Sequence, residues 1–471
     1  MPKKRLSWLR PMPAVLVLLL LPACSRDARP ASLLLITVDT LRADHLGAYG
    51  YTRPTSPRID SLAREGILFE KAYATVPRTT QSVATILTGL YPKHHRARGL
   101  FSPLVPANLT LAEILRERGY STWAVVSNIF LQPGKGFEQG FDSYSNPRSR
   151  FDSDSSEQIT GEALEKLSAA KDRPFFLWVH YLDPHWTYDP RGEFSARFDP
   201  DYRPSKEMKE LREGKSLKGD IIFHNRLGEE DRHHLVALYD GEIAQVDAQI
   251  GRLLDRMPAG VKKNLLIVLT SDHGESLCEH QYCFAHGETL YDDTLRVPLL
   301  FHHPGLLRGG KRIAGNVSLM DLAPSILRLL RLPPRPGMDG MALFAEAPSG
   351  SSFEARGSHD LLFAETDYQL IHAANPRFLI PGAAGRWSGL RKDSLKLIRI
   401  PRPEGPLHEL FQLATDPGEA SPLALEALPL GFQLQRELEI WTDDEQGAGE
   451  SLDETLTPEQ RERLKSLGYL Q

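Results

Sequence analysis

Four apolar runs in this chain each end in polar residues that are able to carry out chemistry. The runs cover residues 33–38, 123–126, 175–179 and 265–269. Their hydrophobicity is continuous rather than alternating, which is typical of strands buried on both faces of a largely parallel sheet. Ligands of such sheets bind at the carboxyl ends of the strands. The polar residues that follow the four runs are therefore the first candidates for a functional site.

Amphipathic helices are predicted between these runs. They cover residues 57–65, 110–118, 229–257 and 318–332. The first has Pro57 at its start and Gly66 after its end, the usual asymmetry of helix termini. Pro324 either kinks the last helix or marks its true start. Alternating strands and helices predict an α/β fold with a mixed, mainly parallel sheet sandwiched by helices.

The composition changes after Leu343. Residues 345–358 are rich in Ala, Gly, Ser and Pro, which predicts a linker. Short strand-like pieces beyond it predict a small antiparallel sheet. We therefore expect a catalytic domain over 32–345, an antiparallel α+β subdomain over 358–430 and a helical tail over 431–471.

Composition and charge exclude several classes of protein. The 471 residues include 56 basic and 61 acidic side chains, a net charge of −5, so a protein that coats nucleic acid is not expected. Apolar residues make up 41% and charged residues 25%, which excludes a wholly disordered chain and a multi-span membrane protein. Three cysteines, Cys24, Cys278 and Cys283, cannot form a disulfide framework or a four-ligand zinc site.

The first 31 residues are typical of a targeting segment. Basic residues precede an apolar run over 14–21, which is shorter than the ~20 residues needed to span a bilayer. The ending Leu-Pro-Ala-Cys resembles a bacterial lipoprotein signal, with a signal peptide over 1–23, lipid on Cys24 and a tether over 24–31. We therefore expect a lipid-anchored protein of the bacterial cell envelope that faces the periplasm. An ordinary cleaved signal and an N-terminal helix of the fold are the alternatives.

Thr79 and Thr80 are predicted at the start of a helix, because Pro77 precedes a helical stretch. Free backbone N–H groups and the helix dipole at such a position favour an anion. The same field helps a threonine hydroxyl to ionise. An ordinary threonine N-cap is the alternative.

Asp39 directly follows one of the apolar runs, and Asp272 and His273 come three and four residues after the end of another. Two carboxylates and an imidazole are ligands for a divalent cation such as zinc, manganese or calcium. A cation beside Thr79 completes the activation of its hydroxyl as a nucleophile. We therefore expect Asp39, Thr79, Asp272 and His273 to hold one metal ion.

Several motifs resemble, in order, those of the sulfatase family in the alkaline phosphatase superfamily. They are VDTLRADHLG at 38–47, PRIDSLAREG at 57–66, LTGLYP at 87–92, LRVP at 295–298, DLAP at 321–324, MDG at 338–340 and ELFQLATDPGE at 409–419. The resemblance implies the fold of that family and a metal-dependent ester hydrolase. It does not identify the substrate.

Departures from the sulfatase pattern bear on that substrate. Sulfatases carry a cysteine or serine that matures to formylglycine, within Cys/Ser-x-Pro-x-Arg. These positions are Thr79, Gln81 and Val83 here, so no formylglycine is expected. The sulfatase Gly-Lys-Trp-His element corresponds to residues 127–130, which lack its lysine and histidine. The second aspartate of the opening pair is Thr40.

A threonine nucleophile, an asparagine after the next strand and an Asp-His pair resemble the phosphodiesterase, phosphonate-hydrolase and phosphotransferase branches. The resemblance implies that Asn128 binds a non-bridging phosphoryl oxygen and that His185 contacts the transferred group or the leaving oxygen. His286 lies near the position of a sulfatase lysine. A turn asparagine and structural histidines are the alternatives. Asp183 and His185 are too close in sequence for the second-metal motif of two-metal relatives.

We therefore expect a hydrolase of phosphomonoesters, phosphodiesters or phosphonate esters of small molecules, lipids or glycans. Thr79 attacks phosphorus, and His185 or His286 protonates the leaving oxygen. A true sulfuric ester hydrolase, a phospho-group transferase acting on lipid or glycan, and a non-catalytic binding lipoprotein are the alternatives.

Cys278 and Cys283 are the cysteines that remain if Cys24 carries lipid. An oxidising periplasm favours a disulfide between them. Because the loop is short, we expect a local clamp with modest stabilisation. Two free thiols, or burial as small apolar residues, are the alternatives.

Overall fold

The computed structural model describes residues 30–147, 155–170, 173–212, 227–367, 383 and 385–443. The predicted signal peptide, Cys24 and the tail beyond residue 443 lie outside these residues. In the described ranges, no helix combines the length and the hydropathy needed to cross a membrane.

Eight of the strands form a central sheet. In chain order the strands of the described residues are β1 Ser32–Val38, β2 Ile67–Tyr73, β3 Ser121–Val126, β4 Ser143–Ser145, β5 Phe175–Tyr181, β6 Leu265–Ser271, β7 Ser276–Leu277, β8 Cys283–Ala285, β9 Arg296–His302, β10 Lys311–Ser318, β11 Phe344–Glu346, β12 Phe353–Ala355, β13 Leu362–Asp367, β14 Arg386–Lys392, β15 Leu395–Ile400 and β16 Leu407–Gln412. The order across the central sheet is β10-β2-β9-β6-β1-β5-β3-β4. Only β9 runs antiparallel to its neighbours, so the sheet is mixed and mainly parallel, which confirms the predicted fold class.

The four predicted apolar runs are β1, β3, β5 and β6, which lie side by side in the middle of this sheet. Successive side chains of β1 point to opposite faces, so Leu33 and Leu35 enter one apolar core while Leu34 and Ile36 enter the other. Full burial of each such side chain contributes about 1.5–3 kcal/mol. A strand that is covered on both faces needs apolar residues at every position, which explains the continuous pattern.

Helices cover both faces of the central sheet. In chain order the helices of the described residues are α1 Pro57–Glu65, α2 Thr79–Thr88, α3 Pro92–His95, α4 Leu111–Glu117, α5 Ser155–Ser168, α6 Lys206–Arg212, α7 Glu229–Arg256, α8 Ala259–Lys262, α9 Asp292–Leu295, α10 Leu322–Leu329 and α11 Gly431–Asp443. Helices α2, α4 and α10 pack into the core of one face. Helices α1, α5 and α7 pack into the core of the other.

Local sequence sets the ends of the predicted helices. α1 begins at Pro57 and ends before Gly66, as predicted. α4 begins after Thr110, which forms a capping box with Glu113. The helix predicted over 318–332 is shorter, because a 3₁₀ turn precedes α10. Pro324 lies in the first turn of α10, where its missing N–H breaks no helical hydrogen bond.

A second sheet, β13-β14-β15-β16, is antiparallel throughout and is called the C-terminal sheet below. It contains the short strand-like pieces predicted after residue 358, which cover 361–365, 394–400 and 409–413, and also β14, which was not predicted. The predicted linker over 345–358 is wrong, because β11 and β12 pair there as a hairpin. Small and turn-forming residues between two strands give a hairpin turn the same composition as a linker.

Candidate active site

The carboxyl ends of β1, β5 and β6 lie at one level of the central sheet. Val38 pairs with Tyr181 of β5 and with Ser271 of β6. Asp39 and Asp272 come one residue later, and both side chains are fully buried. Burial and the negative charge of Asp272 raise the pKa of Asp39 well above its usual range. A cation between the two carboxylates would relieve that repulsion.

His180 of β5, which was not predicted as a site residue, joins these carboxylates. Its Nε2 lies 3.6 Å from Oδ2 of Asp39, and one ligand atom each of Asp39, His180 and Asp272 lie within 4.8 Å of one another. In the described part of the chain, Oδ1 of Asp39, Oδ2 of Asp272 and Nε2 of His180 have no hydrogen-bond partner. Buried polar atoms without partners are costly, and a divalent cation would satisfy all three. Burial lowers the pKa of His180 to about 4, so its imidazole is neutral and able to bind a metal.

His273 completes this group of ligand atoms. Its Nδ1 donates a hydrogen bond to the carbonyl oxygen of Gly274 at 2.9 Å, so Nε2 is the ring nitrogen that is placed to bind a metal. That Nε2 lies 3.5 Å from Oδ2 of Asp272 and 3.8 Å from Oδ1 of Asp39. The structure therefore brings together Asp39, Asp272 and His273, the three strand-end residues predicted as metal ligands.

Thr79 is the first residue of α2, as predicted. Its Oγ1 lies 3.3 Å from Nε2 of His273, and its side chain is buried. The residue before it, Arg78, is extended and provides no side-chain cap. Ser82, on the next turn of α2, donates a hydrogen bond from Oγ to the carbonyl oxygen of Asp272 at 2.6 Å. This bond fixes α2 directly to the end of β6.

Asn128 follows β3 and is buried. Its Nδ2 donates a hydrogen bond to Oδ2 of Asp39 at 2.7 Å, and its Oδ1 accepts one from the backbone N–H of Phe130 at 2.8 Å. The predicted substrate-binding residue therefore also orients a carboxylate of the candidate metal site.

His286 lies beside His273, and His185 lies beside His286. The ring centroid of His286 is 4.4 Å from that of His273 and 5.0 Å from that of His185. Nδ1 of His185 donates to the carbonyl oxygen of Trp186 at 2.6 Å. Nδ1 of His286 lies 3.2 Å from Oε1 of Glu275. Of the two predicted acid–base histidines, His286 thus lies beside His273, whose Nε2 is next to Thr79, and His185 lies beside His286.

Sequence reasoning missed His180 and Glu275. A histidine within an otherwise apolar buried strand was the signal for His180, but its meaning depends on which strand lies beside β5. Glu275 follows the predicted ligands Asp272 and His273 by two or three residues, and its side chain is fully buried. A carboxylate so close to a metal motif is itself a signal of a site role.

Cys278 and Cys283 form a disulfide, which confirms the expected pairing. The disulfide closes the loop between β7 and β8, directly after the candidate metal ligands.

Comparisons with known proteins agree with this geometry. A family model described as sulfatase matches residues 32–332. The Delta 4,5-hexuronate-2-O-sulfatase of Bacteroides thetaiotaomicron is 24% identical over 433 residues, covering 85% of this chain and 86% of the relative. A multifunctional alkaline phosphatase superfamily protein, PehA of Trinickia caryophylli, is 25% identical over 428 residues, covering 74% and 82%.

Among solved structures, the phosphonate monoester hydrolase of Agrobacterium radiobacter is similar in fold, with a TM-score of 0.68 and 22% identity. The match covers 92% of this chain and 99% of that one. The family match spans more than half of the chain and includes Asp39, Thr79, Asp272 and His273. The chain belongs to the sulfatase family of the alkaline phosphatase superfamily, whose members are ester hydrolases that use a divalent metal.

Proposed function

We propose that this enzyme hydrolyses phosphate monoesters, phosphate diesters or phosphonate esters, with Thr79 as the nucleophile. The observation that carries the proposal is the position of Thr79. Its hydroxyl lies at the first residue of α2 and 3.3 Å from Nε2 of His273, beside the buried carboxylates of Asp39 and Asp272. A hydroxyl at a helix N-terminus beside metal ligands is well placed to become an alkoxide.

The identity of the nucleophile favours phosphorus over sulfur. Formylglycine is a hydrated aldehyde whose second hydroxyl expels sulfate and restores the aldehyde. Thr79 has one hydroxyl on its β-carbon, so a sulfated threonine has no such route and must wait for water. A phosphothreonine is open to in-line attack by water when its equatorial charge is stabilised.

Asp39, His180, Asp272 and His273 are the side chains that would hold the metal, together with Thr79. Their ligand atoms converge on one position, which supports the expectation of one ion. When bound, the cation supplies Lewis-acid stabilisation of negative charge at the nucleophile and the phosphoryl oxygens.

The remaining residues bind, orient and transfer protons. Oγ1 of Thr79 forms a bond to phosphorus while the bond from phosphorus to the ester oxygen breaks. Thr79 attacks as the alkoxide, and His185 or His286 gives a proton to the departing oxygen. The same histidine then takes a proton from the water that attacks phosphothreonine. This step releases phosphate, or the phosphate monoester or phosphonate from the other ester classes, and restores the alkoxide. Nδ2 of Asn128 has two hydrogens. One is donated to Asp39, and the other, with the backbone N–H groups of α2, would bind the equatorial oxygens.

A sulfuric ester hydrolase is the second candidate, because relatives such as the hexuronate sulfatase carry that activity in their names. Other relatives and similar folds are named for phosphonate hydrolysis or as multifunctional enzymes. Membership of the family therefore does not distinguish sulfate esters from phosphorus esters as substrates. The preference for phosphorus esters is based on Thr79.

A substrate panel tests the proposal. The purified protein is loaded in turn with Zn²⁺, Mn²⁺ and Ca²⁺ and assayed on 4-nitrophenyl phosphate, bis(4-nitrophenyl) phosphate, 4-nitrophenyl phenylphosphonate and 4-nitrophenyl sulfate. We expect a phosphorus ester to be cleaved fastest, with activity lost in EDTA and restored by metal. Faster cleavage of the sulfate than of every phosphorus ester would contradict the proposal. Release of 4-nitrophenol with transfer of the phosphoryl group to an added alcohol, in place of free phosphate, would identify a transferase.

Thr79→Ala is the matched variant. It removes the nucleophile but keeps four protein ligands, so we expect activity to fall by at least about a thousandfold while metal still binds. Thr79→Ser keeps a hydroxyl and should retain much of the turnover. Undiminished turnover by Thr79→Ala would exclude Thr79 as the nucleophile.

We also propose that the mature protein is anchored to a bacterial membrane through lipid on Cys24 and faces the periplasm. The lipoprotein-like ending of the signal supports this, and the lipid would hold the catalytic domain over 32–345 and the subdomain over 358–430 near the membrane. Mass spectrometry of the mature N-terminus is the test. A mature N-terminus without acyl groups on Cys24 would reject the anchor.

A further inference from the structure

A short hairpin links the candidate metal ligands to His286. Strands β7 and β8 pair through Ser276 and Ala285, so the residues just outside them, Glu275 and His286, face each other across the hairpin. Nδ1 of His286 lies 3.2 Å from Oε1 of Glu275, whose side chain is fully buried. This contact engages Nδ1 and so fixes the orientation of the His286 imidazole.

The backbone of this hairpin is unusual. Cys278, His280, Gln281 and Phe284 have φ values of 88°, 53°, 58° and 50°. None of them is glycine, and this left-handed region is disfavoured for residues that carry a Cβ atom. A segment of seven residues with four such conformations keeps its shape only when its surroundings hold it there.

The disulfide and a few hydrogen bonds provide that restraint. Cys278 and Cys283 are covalently joined across the loop. Oγ of Ser276 donates to the carbonyl oxygen of Tyr282 at 2.5 Å, and the Tyr282 hydroxyl donates to the carbonyl oxygen of His286 at 2.9 Å. The hairpin is therefore fixed from its tip to the histidine at its base.

The position of His286 is important, because the centroid of its ring lies 4.4 Å from that of His273 and 5.0 Å from that of His185. Proton transfer requires hydrogen-bond distance between donor and acceptor, and a displacement of about 1 Å can cost a hundredfold in rate. A hairpin that relaxed toward ordinary φ values would shift the residue at its base.

We propose that the Cys278–Cys283 disulfide and Glu275 are positioning groups that hold His286 where it protonates the leaving oxygen. The disulfide keeps the hairpin with its left-handed residues closed, and the Glu275 side chain fixes the orientation of the imidazole. The proposal rests on the proposed function in one respect: of the two histidines named there, His185 and His286, it takes His286 as the proton donor.

Leaving-group dependence tests this role, because a structural defect lowers all rates alike. 4-Nitrophenolate leaves without much help from an acid, whereas phenolate requires protonation as it departs. The double variant Cys278→Ala/Cys283→Ala is compared with wild type on the phenyl and 4-nitrophenyl forms of the ester class that wild type cleaves best. We expect kcat for the phenyl ester to fall at least about tenfold more than kcat for the 4-nitrophenyl ester, with metal content unchanged.

Matched controls separate positioning from general damage. Gln281→Ala changes an exposed residue at the tip of the same hairpin and keeps the disulfide, so both rates should stay near wild type. With the disulfide intact, Glu275→Ala should show the same selective loss on the phenyl ester. Glu275→Gln keeps an oxygen that accepts from Nδ1 and should therefore retain most of the kcat on the phenyl ester that Glu275→Ala loses.

Two results would overturn the proposal. One is that kcat falls equally on the two esters in both the cysteine variant and Glu275→Ala. The other is that kcat falls on neither ester in both of these variants. If the cysteine variant fails to fold or to bind metal, the Glu275 pair decides alone. A wild type that cleaves only sulfate esters would reject the proposed phosphoesterase, yet the comparison of phenyl and 4-nitrophenyl sulfate would still test the positioning groups.

Discussion

Asn128 donates a hydrogen bond from Nδ2 to Oδ2 of Asp39 at 2.7 Å, which joins the end of β3 to the end of β1 across the intervening strand β5. Partners that orient metal ligands in this way are worth about 10–100-fold in metal affinity. We therefore expect Asn128→Ala to weaken metal binding by about that factor as well as lowering kcat, measured by competition with a chelating indicator. Unchanged metal affinity with a reduced kcat would show that Asn128 acts on the substrate alone.

His180 is expected to contribute to metal affinity. Its Nε2 faces Asp39 at 3.6 Å, and its Nδ1 is held 2.7 Å from Oγ1 of Thr37. Replacing it with alanine removes one donor from the site, so we expect His180→Ala to bind Zn²⁺ about tenfold or more weakly by isothermal titration calorimetry. His233→Ala is the control, because that side chain is 73% exposed on α7. Equal affinities in the two variants would exclude His180 as a ligand.

Asp247 makes stability depend on pH. Burial raises its pKa to about 7, although its carboxylate accepts hydrogen bonds from the backbone N–H groups of Arg58 and Ile59 at the start of α1. An unfolded aspartate titrates near 4, so between about pH 4 and pH 7 the folded state binds more protons than the unfolded state. The contribution of Asp247 is therefore full below pH ~4 and is lost as pH rises through ~7.

Asp247→Asn should remove this dependence. The quantity compared is the free energy of unfolding of the variant minus that of wild type. We expect this difference to rise by roughly 2–4 kcal/mol from pH 4.5 to pH 8, measured by urea denaturation. A difference between the two proteins that is the same at both pH values would contradict the assignment.

Arg98 and Glu365 form a buried, bidentate ion pair, with N–O distances of 2.9 and 2.6 Å. It joins the C-terminal sheet to the loop that holds α2, because the carbonyl oxygen of Arg98 accepts from Nε2 of Gln81 at 2.7 Å. Glu365→Ala leaves a buried guanidinium without this carboxylate, and we expect it to cost about 3–5 kcal/mol of stability in urea denaturation.

Two further variants control that prediction. Arg98→Met/Glu365→Leu removes both charges and should recover much of the loss. Glu354→Ala breaks an exposed ion pair with Arg356 and should cost less than about 1 kcal/mol. A Glu365→Ala variant as stable as Glu354→Ala would show that the buried pair contributes little.

Much of the candidate site is local in sequence and was predictable. Asp39 and Asp272 each follow a continuous apolar run, and Thr79 follows a proline at a helix start. The pairing of Cys278 and Cys283 follows from counting cysteines once Cys24 is assigned to lipid. In each of these cases a few neighbouring residues carry the whole signal, because strand burial, helix initiation and loop closure are short-range properties.

The sequence by itself therefore determined the α/β class, the parallel core strands and three of the metal-ligand candidates. Only the tertiary structure decided which strands are neighbours, and this brought His180 of β5 to Asp39 of β1. It also placed Glu275 opposite His286, paired Arg98 with Glu365 and turned the expected linker over 345–358 into a hairpin. Strand order and cross-chain contacts depend on how distant segments pack together, and neither propensity nor periodicity within one segment records that choice.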